Sequence, residues 1–113
     1  MTQPNDVLPT IDVTEASARL EAADPEGPLL VDVRETYEFE TVRANGAIPL
    51  PMSEFASRHE ELPRDRPLFI ICASGSRSQA AAAFLLRNGW KDVANVDGGT
   101  SAWERAGLPV NRG

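Results

Sequence analysis

Apolar residues in this chain fall into short unbroken runs, and the segments between the runs carry apolar positions at helical spacing. The two strongest runs are Leu29-Leu-Val-Asp-Val33 and Leu68-Phe-Ile-Ile-Cys72, with briefer ones at 10–13, 47–50 and 93–96. Short, nearly continuous apolar runs bounded by turn residues read as strands buried on both faces. Pro49 and Pro51 push their neighbours toward extended backbone. Between the strands, Thr14 reads as the cap of a helix with Ala16, Leu20 and Ala23 on or near one face. Asp24-Pro-Glu-Gly-Pro28 reads as a turn. Residues 35–41 suit a short helix, and 53–62 a longer one opened by Ser53. Residues 77–88 make the best helix, stopped by Gly89. Gly98-Gly99 forms a tight turn, after which Thr100 caps a last helix ending at Gly107.

Strands alternating with helices at this spacing predict a three-layer α/β fold, a parallel sheet with helices on both faces. The run Ala80-Ala-Ala-Ala83 points to a helix packed closely on that sheet. Ligands of open α/β sheets bind outside the carboxyl ends of the strands. Cys72, Asp32, Arg34 and Asp97 all fall at such ends and are expected to face one crevice.

Length, composition and charge narrow the picture. The 113 residues suit one domain spanning 1–113, with its core about 10–112. A chain of this size buries about two-thirds of its unfolded surface, enough for a core without metal or disulfides. The net charge of −6 argues against nucleic acid or an anionic membrane as the main partner. No apolar stretch approaches the ~18 residues of a membrane span. The stretch 1–9 has neither the basic nor the apolar part of a signal peptide, so a reducing cytoplasm is expected. The single cysteine leaves no intramolecular disulfide and no cysteine-rich metal site. No internal repeat or linker interrupts the pattern, and no cofactor or metal is expected.

That cysteine is the most informative residue. Cys72 ends the most apolar strand, and Ala73-Ser-Gly-Ser-Arg-Ser78 leads from it into the best helix. A helix start gathers free N–H groups and the positive end of the helix dipole, a favourable place for an anion. A free thiol of pKa ~8.5 is only about 3% thiolate at pH 7. Lowering that pKa by ~2 units takes about 2.7 kcal/mol. The dipole supplies roughly 0.3–2 kcal/mol, and each charge-assisted N–H bond roughly 1.5–3 kcal/mol. Two or three such bonds suffice without a histidine base. Cysteine is also a common core residue, but Ser74, Gly75, Ser76, Arg77 and Ser78 are not needed to pack a core. Gly75 permits a turn with φ above zero that points amides inward. Arg77 brings a forked cation, and Ser78 suits an N-cap or first-turn position. Cys72 is therefore the candidate nucleophile, with Ala73, Ser74, Gly75, Ser76, Arg77 and Ser78 as its anion-binding loop. Asp32 reads first as organising strand-end amides or Arg34, and Asp32 and Arg34 are weaker candidates for substrate contact.

Four motifs resemble a known family. Leu30-Val-Asp-Val-Arg34 with Tyr37-Glu-Phe39, Gly46-Ala47-Ile48 with Pro51, the loop Cys72-Ala-Ser-Gly-Ser-Arg-Ser78, and Gly98-Gly99, Ala102-Trp103 and Gly107-Leu-Pro-Val110 together resemble single-domain rhodanese-like proteins. The resemblance implies a five-stranded parallel sheet. It also implies a sulfurtransferase in which Cys72 takes a sulfane sulfur from thiosulfate or a persulfide, becomes a persulfide, and passes the sulfur on. Partners would be a small sulfur-containing anion or thiol, cyanide, or a thioredoxin-like or persulfide-carrying protein. Ping-pong kinetics would follow. With Arg77 as the one cation of the loop, modest affinity for thiosulfate and better turnover from a thiol or protein persulfide are expected. One motif departs: the family's Gly-His-Ile is replaced by Val42-Arg43-Ala44. The rim there is expected to differ, and no role passes to Arg43.

Two other readings compete. Cysteine-dependent phosphatases and arsenate reductases also use a cysteine loop ending in arginine. Here four residues separate Cys72 from Arg77, one fewer than in the tyrosine phosphatase loop, and Ile71 stands where a histidine is common. A non-catalytic or redox-sensing binding module is the third reading, because an exposed low-pKa thiol oxidises readily. His59 reads as a packing residue, Trp90 and Trp103 as core aromatics, and Glu60-Glu61 and Arg64-Asp65-Arg66 as solvated charges.

Overall fold

Leu29–Asp32 and Leu68–Ile71 lie side by side in parallel, with Leu30 opposite Phe69 and Val31 opposite Ile70. They are β2 and β5 of a chain that runs β1 (Thr10–Ile11), α1 (Val13–Glu21), β2, α2 (Thr36–Thr41), β3 (Val42–Ala44), β4 (Ile48–Pro49), α3 (Met52–Arg58), a 3₁₀ turn at His59–Glu61, β5, α4 (Ser76–Arg87), β6 (Val93–Val96), α5 (Gly99–Arg105) and β7 (Val110–Arg112). The computed structural model describes residues 8–22 and 27–113. Ala23, most of the expected turn at 24–28 and most of the stretch 1–9 lie outside those residues.

The main sheet has the order β1-β6-β5-β2-β4, and every pairing in it is parallel. Alternate side chains of a strand point to opposite faces, so β2 and β5 feed two cores. Val31, Val33, Leu68, Ile70 and Cys72 pack with Phe55 of α3 and Ala81, Ala82 and Leu85 of α4. Leu30, Phe69 and Ile71 pack on the other face with Val13 and Ala16 of α1 and Trp103 of α5. The expected five-stranded parallel sheet with helices on both faces is what forms. Within the alanine run, Ala81 and Ala82 meet the sheet, whereas Ala80 faces solvent.

Several boundaries differ from the sequence reading, each for a local reason. α1 begins before Thr14, because Asp12 is its N-cap and its Oδ1 accepts from the Glu15 amide at 2.8 Å. α3 begins after Pro51, and Ser53 instead donates its hydroxyl to Glu35 Oε1 at 2.9 Å. α5 starts at Gly99 with Gly98 as its cap, which places Thr100 inside the helix. The pairing of β3 with β7 was not foreseen. Val42 stands opposite Arg112 and Ala44 opposite Val110 in an antiparallel ribbon outside the main sheet. Arg64 and Arg66 are not simply solvated. The Arg64 guanidinium lies 3.6 Å from the centre of the Trp90 ring, and Arg66 Nε donates to the Gly27 carbonyl at 2.8 Å.

Candidate active site

The residue after β5 is Cys72, and the chain turns sharply there because its carbonyls are held from behind. Its own carbonyl accepts from the Thr100 amide at 2.8 Å, and that of Ala73 accepts from the Ser101 amide at 3.0 Å. Gly99 makes this approach possible: a Cβ at position 99 would lie 2.7 Å from the Ala73 carbonyl oxygen. The loop then passes through Gly75 at φ 107° and enters α4 at Ser76. That backbone is one glycine adopts without strain. It turns the Gly75 N–H inward, where it donates to Cys72 Sγ at 3.1 Å. Ser78, in the first turn of α4, places its Oγ 3.3 Å from the same sulfur.

Burial pushes the Cys72 thiol up. The Ser78 hydroxyl and the main-chain N–H groups of Ser78, Gly75 and Ser74 more than offset this, and the net direction is below the ordinary cysteine value. The groups that turn toward the sulfur are N–H and O–H donors of the loop and the first turn of α4. Ser74 and Ser76 lie exposed on its rim, and Ala73 is half-buried.

Two features differ from expectation. The first is that Cys72 is 0% exposed, so the reading of an open thiol is corrected. The same donors that favour the thiolate hold the sulfur inward, under the backbone of residues 73–76. The second is that Arg77 is not a free cation. Its Nη1 and Nη2 donate to Glu38 Oε1 and Oε2 of α2 at 2.8 and 3.0 Å. Glu38 is itself fixed by accepting the Glu35 amide at 3.0 Å. The Arg77 fork holds the Glu38 carboxyl below its usual range, and Glu38 in turn raises Arg77.

Asp32 and Arg34 satisfy one another. Asp32 Oδ2 accepts from Arg34 Nη2 at 2.8 Å, Oδ1 accepts the Arg34 amide at 2.9 Å, and Arg34 Nη2 also reaches the Val42 carbonyl at 2.6 Å. Both residues are buried. The pair joins the end of β2 to β3, and its hydrogen bonds go to each other and to β3 rather than to the loop at 73–78. Asp97 is exposed, and its amide extends the β1 pairing to the Ile11 carbonyl. His59 sits among Phe55, Phe84 and Trp90, with ring centroids 6.4, 4.8 and 5.5 Å away. It packs as expected. Arg43 lies over the Phe39 ring and donates to the Phe39 carbonyl, so the departed motif becomes a strand with an anchoring arginine.

Two residues bear on the site without having been singled out. Glu38 lay inside the Tyr37-Glu-Phe39 motif. Asn95, 0% exposed, interrupts the apolar run of β6, and its Oδ1 is 2.5 Å from Ser78 Oγ. A polar residue in the middle of a buried strand is the signal that marks it.

Comparisons with known proteins agree with this geometry. The family profile described as "Rhodanese-like domain" matches residues 12–106. A sulfurtransferase of Allochromatium vinosum is 43% identical over 100 residues, covering 88% of this chain and 92% of that protein. The thiosulfate sulfurtransferase GlpE of Vibrio cholerae is 36% identical over 100 residues, with the same 88% and 92% coverage. Among solved structures, a rhodanese-related protein of Thermoplasma volcanium superposes with a TM-score of 0.82 at 31% identity, covering 91% of this chain and 97% of that one.

Proposed function

Since this chain belongs to the rhodanese-like family, we propose that it is a sulfurtransferase working through a persulfide on Cys72. The Cys72 thiolate attacks the outer sulfur of a donor. A new S–S bond forms to Sγ as the donor's own bond to that sulfur breaks. The departing group carries away the bonding electrons, as sulfite from thiosulfate or as a thiolate from a persulfide. An acceptor nucleophile then attacks the outer sulfur and returns Cys72 to its thiolate. The persulfide is also an anion, so the amides that lower the thiol's pKa favour it as well.

The observation that carries this reading is the Gly75 amide aimed at Sγ at the head of α4, 3.1 Å away. Because the sulfur is covered, this reading requires the segment 73–76 to shift when a donor enters. Its rim is built from the small residues Ala73, Ser74 and Ser76. Glu38 already occupies the Arg77 fork, so an oxyanion donor has to compete for it. A small thiol persulfide or a persulfide-carrying protein does not. We therefore assign the better turnover to such donors, with a small thiol or a thioredoxin-like protein as acceptor.

Intact mass spectrometry tests the reading on wild type and Cys72→Ser, each with thiosulfate and with a thiol persulfide. A gain of one sulfur, about 32 Da, in wild type alone is the expected result. No gain with either donor would favour a binding module instead.

A further inference from the structure

Ser78 has one hydroxyl proton and two acceptors in reach. Its Oγ is 2.5 Å from Asn95 Oδ1 and 3.3 Å from Cys72 Sγ. A serine hydroxyl donates one hydrogen bond at a time and accepts up to two. If its proton points at Asn95, it cannot stabilise a thiolate. At the same time Asn95 Nδ2, fully buried, has no partner among the described residues. An orphaned buried N–H is rarer than an orphaned carbonyl oxygen. Both oddities come from one orientation of a single amide.

Reversing that amide exchanges oxygen for nitrogen in the same space. Nδ2 then donates to Ser78 Oγ, and the Ser78 proton is free to turn to Sγ. This gives a directed chain, Asn95 N–H to Ser78 O–H to Cys72 S⁻, in which each bond polarises the next. We infer that Asn95 is a positioning residue for the sulfur chemistry, with its amide reversing as Cys72 changes charge. With a neutral thiol, Ser78 donates to Asn95 Oδ1. When the thiol proton leaves for water, the Ser78 hydroxyl rotates onto Sγ and the Asn95 amide turns to donate behind it. The persulfide anion takes the place of the thiolate in the same chain. No charged side chain takes part. Among the described residues, the charged group that bears on the thiol is Arg77, which is held by Glu38.

The inference rests on the sulfurtransferase reading only for its consequence in turnover. The thiol titration that tests it needs no sulfur donor, so the two fail separately. Thiolate absorbance followed against pH is compared for wild type, Asn95→Leu, Ser78→Ala and the double variant. Leucine keeps the size of asparagine without its polar atoms. Asn95→Leu is expected to reduce the thiolate fraction at pH 7 by about 3–10-fold. In the Ser78→Ala background the same change is expected to add nothing. An unmoved titration, or an equal effect with and without Ser78, would overturn the inference. A second measurement uses the unaltered protein. The side-chain amide protons of Asn95, followed by nuclear magnetic resonance, should shift with the Cys72 midpoint and show contacts to Ser78 only above it. Signals indifferent to that midpoint would overturn the inference without any variant.

Discussion

At the scale of single residues, the site combines a cysteine favoured as its anion with a cation that is already paired. Glu38 decides how much of the Arg77 charge an incoming oxyanion meets. Glu38→Gln removes the competing carboxylate and keeps its shape. The Michaelis constant for thiosulfate is expected to fall by about 2–5-fold, the range of an exposed ion pair, with persulfide donors unaffected. The sign with pH follows from the lowered Glu38. A carboxyl held below its usual range stays charged, and keeps Arg77, as the pH falls through that range. Acidification from pH 7 to about 5 should therefore leave the pair intact and bring no such gain, which steady-state kinetics can check. Cys72 and its loop were legible because the polar residues after it serve no packing need. Glu38 and Asn95 were not, because they meet their partners across 39 and 17 residues of sequence. Nothing local to either residue says which side chain the fold will bring to it.

At the scale of elements, α5 acts on the loop from behind. Its first amides grip the Cys72 and Ala73 carbonyls, and Gly99 is the contact point. Gly99→Ala places a Cβ against that backbone at a φ of 60°. It is expected to cost about 2 kcal/mol or more and to slow persulfide formation on Cys72. A urea midpoint equal to wild type would contradict this. The elements were legible to the extent that they are governed by nearest neighbours. Apolar runs located β2, β5 and β6, and Gly89 marked the end of α4. The starts of α1, α3 and α5 slipped because two plausible caps lay within a few residues of one another. Asp12 precedes Thr14, and Pro51 precedes Ser53. β3 and β7 are three residues each and gain their pairing only from one another. Neither run is long enough to announce itself alone.

At the scale of the whole molecule, the two cores on either side of the sheet meet a buried ion pair at the end of β2. Asp32 and Arg34 are 0% and 5% exposed. Removing one partner leaves the other charged and unmatched away from water. Asp32→Ala is expected to lower the unfolding free energy by about 3–5 kcal/mol, a large share of the ~5–15 kcal/mol typical of a domain. Chemical denaturation measures it, and a loss under ~1 kcal/mol would show the pair to be marginal. The parallel topology was readable from the alternation of runs and helices. That Asp32 organises Arg34 was readable too; the tie from Arg34 to the Val42 carbonyl was not, because a strand end exposes its side chains equally well to a crevice or to the next turn of chain.

The outermost strands of the main sheet are its shortest. β1 and β4 contribute two residues each, and β4 ends in Pro49, which has no N–H to offer. Two such rungs give a foreign strand almost no ladder to extend. The long apolar strands that would template fibrils, β2 and β5, are enclosed on both sides by their neighbours. The same layout that seats the sulfur at the sheet's centre thus keeps crowded copies of the folded chain from zipping together edge to edge.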